Sequence, residues 1–282
     1  MKKLTLAVLA MVAGLALAAE NVRIINVKAD KSTGNPRSGP LELSGNVRGT
    51  VQSLEITSPQ GTLAAPEGAT LAEATGKRIA TFTGGVKVVR GRLNANGPTL
   101  SYNEASGLGV LNGPTKIVQK PAKEGDDEVN ITAGKASFDV DTNVSTSTGD
   151  VKIVSGKQSG SAETVVFDEK LDLAVMKDNR TVSLLREPRK PGENALRINA
   201  KESRMLTGDK TLLATGGVTL VSGDTTTTGD ELFYDDDTGI AVVVGRPAKS
   251  VSGKSGNSSG ITSGAIQQNT RNNQVKQLGS YK

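Results

Sequence analysis

An all-β fold, a β-jelly roll or β-solenoid-like stack of antiparallel hairpins with internal repeats, is predicted by three features of this 282-residue sequence. A phrase returns at fixed spacing, apolar and polar residues alternate within it, and no window of a dozen residues after the first twenty holds a 3.6-residue apolar period. Alternation is the strand signature, because successive side chains of a strand point to opposite faces.

The chain opens with Lys2 and Lys3 ahead of an uncharged apolar run from Leu4 to Ala19 that ends in small residues. This reads as a secretory signal peptide over residues 1–19, shorter than the ~20 residues of a membrane span. Its removal takes two of the 34 basic residues, leaving 32 against 29 acidic, a net charge of +3. The remainder, 20–282, forms a leading part at 20–83 and repeat units near 84–148, 149–215 and 216–282.

Three series of positions define those units. The Gly of a Gly-x-Val phrase stands at Gly84, Gly149 and Gly216, with an earlier copy at Gly45. A small residue lies five places before a large apolar one at Gly97 and Tyr102, Ala162 and Phe167, and Gly229 and Tyr234. A third series runs Ala133 to Phe138 and Ala200 to Met205, with "ITSGAI" at 261 as a further copy. Spacings of 65 and 67 residues recur, so the unit is about 66 residues long. Fixed periods of this size mark stacked architectures in which one unit cannot bury its apolar face alone.

Within each unit, one face of the first strand carries Val86 and Val88, Val151 and Ile153, or Val218 and Leu220. The second strand matches these with Leu100 and Tyr102, Val165 and Phe167, or Leu232 and Tyr234. The other face is mostly Lys, Thr, Ser and Glu, and the segments between are Gly, Asn and Asp turn chemistry. With only 2% aromatic residues the enclosed space is lined by aliphatic side chains, a slender V-shaped interior suited to extended hydrocarbon.

Composition excludes much chemistry. His, Cys and Trp are absent, which removes imidazole proton shuttles, thiol nucleophiles, zinc sites and disulfides. The acids sit in turns and converge on no cleft legible from spacing, so no catalytic residue, metal site or cofactor is assigned and the chain is not read as an enzyme. Asp235 to Asp237 with Asp230 and Glu231 lack calcium-loop spacing and read as a solvated hairpin turn. "EGDDE" at 124 reads as an exposed loop, "LLREPRKPGEN" at 184 with Arg186, Arg189 and Lys190 as a solvated loop between strands, with a phosphate or anionic-headgroup contact as its alternative, and "SGKSGNSSG" at 252 as a flexible linker or a long turn before the last strand. Low net charge, few aromatics and an export signal argue against nucleic acid as a partner.

The phrases "VRIINVKADKSTGNPRSGPLELSGNV" at 22–47 and "GGVTLVSGDTTTTGDELFYDDDTGIAVVVG" at 216–245 resemble the organic-solvent-tolerance-like (OstA-like) family. That family includes the periplasmic proteins that bridge lipopolysaccharide transport between membranes, and the resemblance spans most of residues 22–282. It implies a β-jelly roll of stacked hairpins, periplasmic and enveloping acyl chains, whose ends dock to similar folds. The expected function is that of an exported envelope protein. It would bind the acyl chains of a lipid or lipopolysaccharide-like glycolipid in an apolar groove, for transport or outer-membrane assembly. The alternative is a structural or cell-surface β-repeat protein with no ligand. Expected groove residues are Val86, Val88, Leu100, Tyr102, Val151, Ile153, Val165, Phe167, Val218, Leu220, Leu232 and Tyr234. Expected protein partners are other β-jelly-roll envelope proteins, or a second copy, paired through the edge strands near Val22 to Val27 and Gln274 to Leu278.

Overall fold

The computed structural model describes residues 23–279, apart from 38, 122–123, 125–126, 189, 208 and 254–258. The signal-peptide segment, Arg189 and the middle of the 252–260 loop lie outside the described residues. Those described form seventeen antiparallel strands in one unclosed sheet and no helix.

Three short strands sit at the ends: β1 (Asn26–Lys28), β2 (Lys31–Thr33) and β17 (Val275–Gln277). Between them run fourteen long ones: β3 (Leu41–Val51), β4 (Leu54–Ala64), β5 (Ile79–Arg90), β6 (Leu93–Asn103), β7 (Leu108–Gln119), β8 (Val129–Asp139), β9 (Val144–Ser155), β10 (Gln158–Asp168), β11 (Leu173–Arg186), β12 (Leu196–Leu206), β13 (Thr211–Ser222), β14 (Thr225–Asp235), β15 (Ile240–Ser252) and β16 (Ser259–Asn269). Each long strand pairs with its neighbours in sequence, a meander from β3 to β17. At the first edge, β1 pairs with the Arg48–Thr50 part of β3 and β2 with its Glu42–Ser44 part.

The strands are longer than the sequence phrases imply. Val86 to Val89 and Thr99 to Tyr102 are each one part of a strand of 12 or 11 residues. The repeated Gly is therefore no turn between strands: Gly84, Gly149 and Gly216 sit in mid-strand at φ of +85°, +80° and +87°, where the register slips. Positive φ is open to glycine and strained for other residues, so the chain can bulge and bend there. The small residues of the second phrase, Gly97, Ala162 and Gly229, stand at the same crease on the neighbouring strands. The two phrases are thus one structural feature, a line across which the whole sheet folds.

Turns at the two strand ends differ. One end has two-residue turns opened by Gly91, Gly156 and Gly223, each at φ between +52° and +55°, the conformation such hairpins require. At the other end Asn103, Asp168 and Asp235 each close a strand and accept two backbone N–H bonds from the turn residues that follow. The strand starts Ile79, Val144 and Thr211 then recur 65 and 67 residues apart.

Folding at the crease brings opposite strand ends together. A straight strand of 11 residues would hold its ends about 33 Å apart. Yet Arg90, at one end of β5, donates from Nη2 to Glu169 Oε1 at 2.6 Å, just past the other end of β10. Arg186 Nη1 likewise reaches Asp236 Oδ1 at 3.0 Å, and Ser222 Oγ reaches the Thr270 carbonyl at 3.0 Å. The sheet is a folded leaf whose two walls face each other, with the core between them.

Candidate functional site

The space between the walls can be followed row by row, because side chains in register on one face stand side by side across strands. On the wall of the two-residue turns, one row runs Ile56, Val88, Ala95, Ile117, Ile131, Ile153, Gly160, Leu184, Ile198 and Leu220. On the facing wall an inner row includes Phe82, Leu100, Leu111, Val165, Leu232 and Val243, and an outer row includes Tyr102, Phe138, Phe167, Met205 and Tyr234. All twelve expected groove residues point into this space or toward the crease that closes it. Ten are buried, including Val88 at 1% and Leu220 at 0% exposure; Ile153 and Phe167 are half-buried.

That difference is regional. Both end thirds of the interior are sealed, with large clusters around Phe82 and Leu100 and around Leu220 and Leu232. Between them a cluster of six buried residues, two of them alanines, fills less of the space. There Ile131, Ile153, Gly160 and Leu184 on one wall, and Phe138, Ser145, Phe167 and Ala174 on the other, all become half-buried. Gly160, Ser145 and Ala174 are the small residues of these rows in the middle third, and their neighbours there are left half-buried. The deepest row stays covered even here, through Val165 and Met176. The result is a window, roughly β8 to β11, opening onto an apolar floor.

Charged residues mark the window's limits. The rim row on the first wall runs Leu54, Arg90, Leu93, Gln119, Val129, Ser155, Gln158, Arg186 and Leu196. Arg90 and Arg186 are buried, while the five residues between them are half-buried or exposed. Arg90 pairs with Glu169, and Arg186 donates to Tyr234 Oη at 3.1 Å as well as to Asp236. Asp236 and Arg186 are therefore not the solvated turn and loop residues that the sequence predicts: each is at most 6% exposed. One pattern would have revealed the two arginines. In Val86-x-Val88-x-Arg90 and Val182-x-Leu184-x-Arg186 the inward alternation ends on a charge.

A further buried group closes the first end. Ile25, expected on an open edge, is instead 2% exposed, and its N–H donates to Glu104 Oε1 at 3.0 Å. The Glu104 side chain is fully buried and takes a two-pronged bond from Arg78, Nη2 to Oε1 at 2.6 Å and Nε to Oε2 at 2.9 Å. Burial pushes its carboxyl up, but the bonds from Arg78, Ile25 and the local backbone outweigh that and hold it below the usual range. Tyr102 Oη donates to the Arg23 carbonyl, tying the N-terminal segment across the same end.

A separate open concavity of about 910 Å³ lies along the crease of β5 to β9. It is edged by Lys87, Asn96, Lys116, Thr132 and Lys152, one outward-facing register row, and of the twelve groove residues it touches only Val86. It is therefore not the apolar cleft. Among the described residues no group of Asp and Glu is arranged to hold a metal ion.

Residues 26–130 match the LptA/(LptD N-terminal domain) LPS transport protein family. The matched stretch begins with β1 and ends as β8 begins, and β8 to β16 continue the plan of strand, crease and turn. No curated protein matches the chain. Among solved structures it is similar to LptH, the LptA-homologous periplasmic component of the lipopolysaccharide transport device of Pseudomonas aeruginosa. The two are 15% identical, the match covers 60% of this chain and 99% of that one, and the TM-score is 0.29.

Proposed function

We propose that this chain is an exported, periplasmic lipid-binding protein of lipopolysaccharide transport or outer-membrane assembly. It would hold acyl chains of a lipopolysaccharide-like glycolipid between its two walls. The observation that carries this reading is the window over β8 to β11, an apolar floor left half-covered in a chain whose leading third matches a lipopolysaccharide transport family. Acyl chains are long and featureless, so their binding requires extended apolar lining rather than one shaped pocket. Each methylene moved out of water contributes ~0.8 kcal/mol, so partial enclosure of one chain supplies several kcal/mol.

The twelve groove residues divide accordingly. Ile153 and Phe167 are the ones that meet an acyl chain in the folded protein, while the ten buried residues form the closed walls that frame it. The edges offer the second half of the function. β2 and β17 each leave a strand edge with short pairing, and such edges recruit a strand from another β-jelly roll or a second copy. Mass spectrometry of lipids that copurify with the mature protein from its native envelope tests the reading: an acylated lipid in near-stoichiometric amount is expected. A lipid-free protein returns the chain to the structural-repeat alternative, which the burial of the ten framing residues favours.

A further inference from the structure

We propose that Arg90 is an anion-binding residue at the mouth of the cleft, recognising the phosphate or carboxylate headgroup of an amphiphile whose chain lies in the window. The inference rests on the acyl-binding reading of the cleft and adds to it the chemistry of the headgroup.

Arg90 continues the inward face of Val86 and Val88 to the rim, so its guanidinium stands where a chain lying along that face meets solvent. Its side chain is 9% exposed. A guanidinium carries five N–H donors and is charged at all ordinary pH. Of its nitrogens, Nη2 donates to Glu169 Oε1, whereas Nε and Nη1 are buried without a hydrogen-bond partner. Buried donors without acceptors are costly, and charged ones most of all. A single carboxylate that uses one nitrogen leaves the rest of the fork unanswered. A tetrahedral phosphate or a second carboxylate supplies the acceptors in the geometry the fork requires.

Glu169 sets the terms of binding. It lies two residues after Phe167, in the exposed turn that follows β10, and its own side chain is 33% exposed. Its carboxylate can therefore swing into water at small cost while Arg90 stays in place. An incoming anion competes with Glu169 for Nη2 and gains Nε and Nη1. Arg186, with Nε also unpartnered, occupies the opposite limit of the window but is held by two acceptors, Tyr234 and Asp236. Arg90 is the freer of the two.

The test uses the mature chain and two amphiphiles of equal chain length, dodecyl phosphate and dodecyl maltoside, below their micelle-forming concentrations, with inorganic phosphate as a third probe. Wild type is expected to bind dodecyl phosphate about tenfold more tightly than dodecyl maltoside. Arg90→Gln should erase that preference while keeping the maltoside affinity, and Arg92→Gln, a nearby exposed cation, should keep the preference. Glu169→Gln, which spares the arginine, should tighten dodecyl phosphate binding, and it carries the test if Arg90→Gln does not fold. Equal affinities in wild type, a preference that survives Arg90→Gln, or no gain in Glu169→Gln overturns the proposal while leaving the acyl site standing. Inorganic phosphate binding as tightly as dodecyl phosphate makes this a free-phosphate site and overturns the headgroup assignment. Failure of both amphiphiles to bind removes the acyl reading and this proposal with it.

Discussion

Glu104 and the two buried tyrosines put titrating groups in the walls of the interior, and each makes stability depend on pH. The Glu104 carboxyl titrates below its ordinary value of 4.5 in the folded chain, so its contribution is full above that value and lost as pH falls through the lowered one. Glu104→Gln is expected to cost about 3 kcal/mol near neutrality, the penalty of breaking a buried pair, and to flatten the acid limb of a stability-against-pH curve from denaturant titrations. Burial, with nearby carboxylates, pushes both Tyr102 and Tyr234 up to about 12. The sign is opposite: the unfolded chain releases these protons near pH 10 and the folded chain retains them, so stability falls between pH 10 and 12. The slope is at most about 1.4 kcal/mol per pH unit for each tyrosine. Tyr234→Phe should reduce that slope in the same titrations, whatever its effect at pH 7.

The strand is the scale at which the sequence was most and least legible. Alternation located the inward residues of β5, β6, β9, β10, β13 and β14, because period two survives in any register. Strand length was hidden, because Gly84-Gly85 and Gly216-Gly217 have the composition of turns and the φ values of turns yet sit inside ladders. Only pairing across the sheet separates a bulge from a hairpin, and pairing is non-local. Arg90, Arg186 and Asp236 were missed for a related reason: their partners are 79 and 50 residues away, brought near by the crease. At the crease, a Cβ at Gly216 would lie 2.6 Å from Lys201 Cβ and would face φ of +87°. Gly216→Ala is therefore expected to lose about 1–3 kcal/mol, read as a lowered urea midpoint with unchanged slope.

Across the whole molecule, the fold is an apolar sandwich made by one sheet folded on itself, sealed at both ends and half-open in the middle third. Its two ends are unlike its flanks, since among the described residues the strands that lack a neighbour are at the ends. Ile25, which a plain edge model would choose for a pairing test, is core, so proline there would unfold the first end. Ser32→Pro in β2 and Lys276→Pro in β17 probe the edges instead. Sedimentation of a mixture of both variants should show less end-to-end association than wild type, and unchanged association would exclude edge pairing as the contact.

The central claim is that acyl chains lie between the walls at the window, and neighbouring residues of β9 test it because they differ mainly in the face they take. Ile153 points inward and is half-buried; Val154 points outward and is 48% exposed. Mass spectrometry of lipid copurifying with Ile153→Asp and with Val154→Asp, both checked for folding by circular dichroism, is the direct comparison. The expected result is wild-type lipid on Val154→Asp and little or none on Ile153→Asp. Equal lipid on the two folded variants would contradict the account.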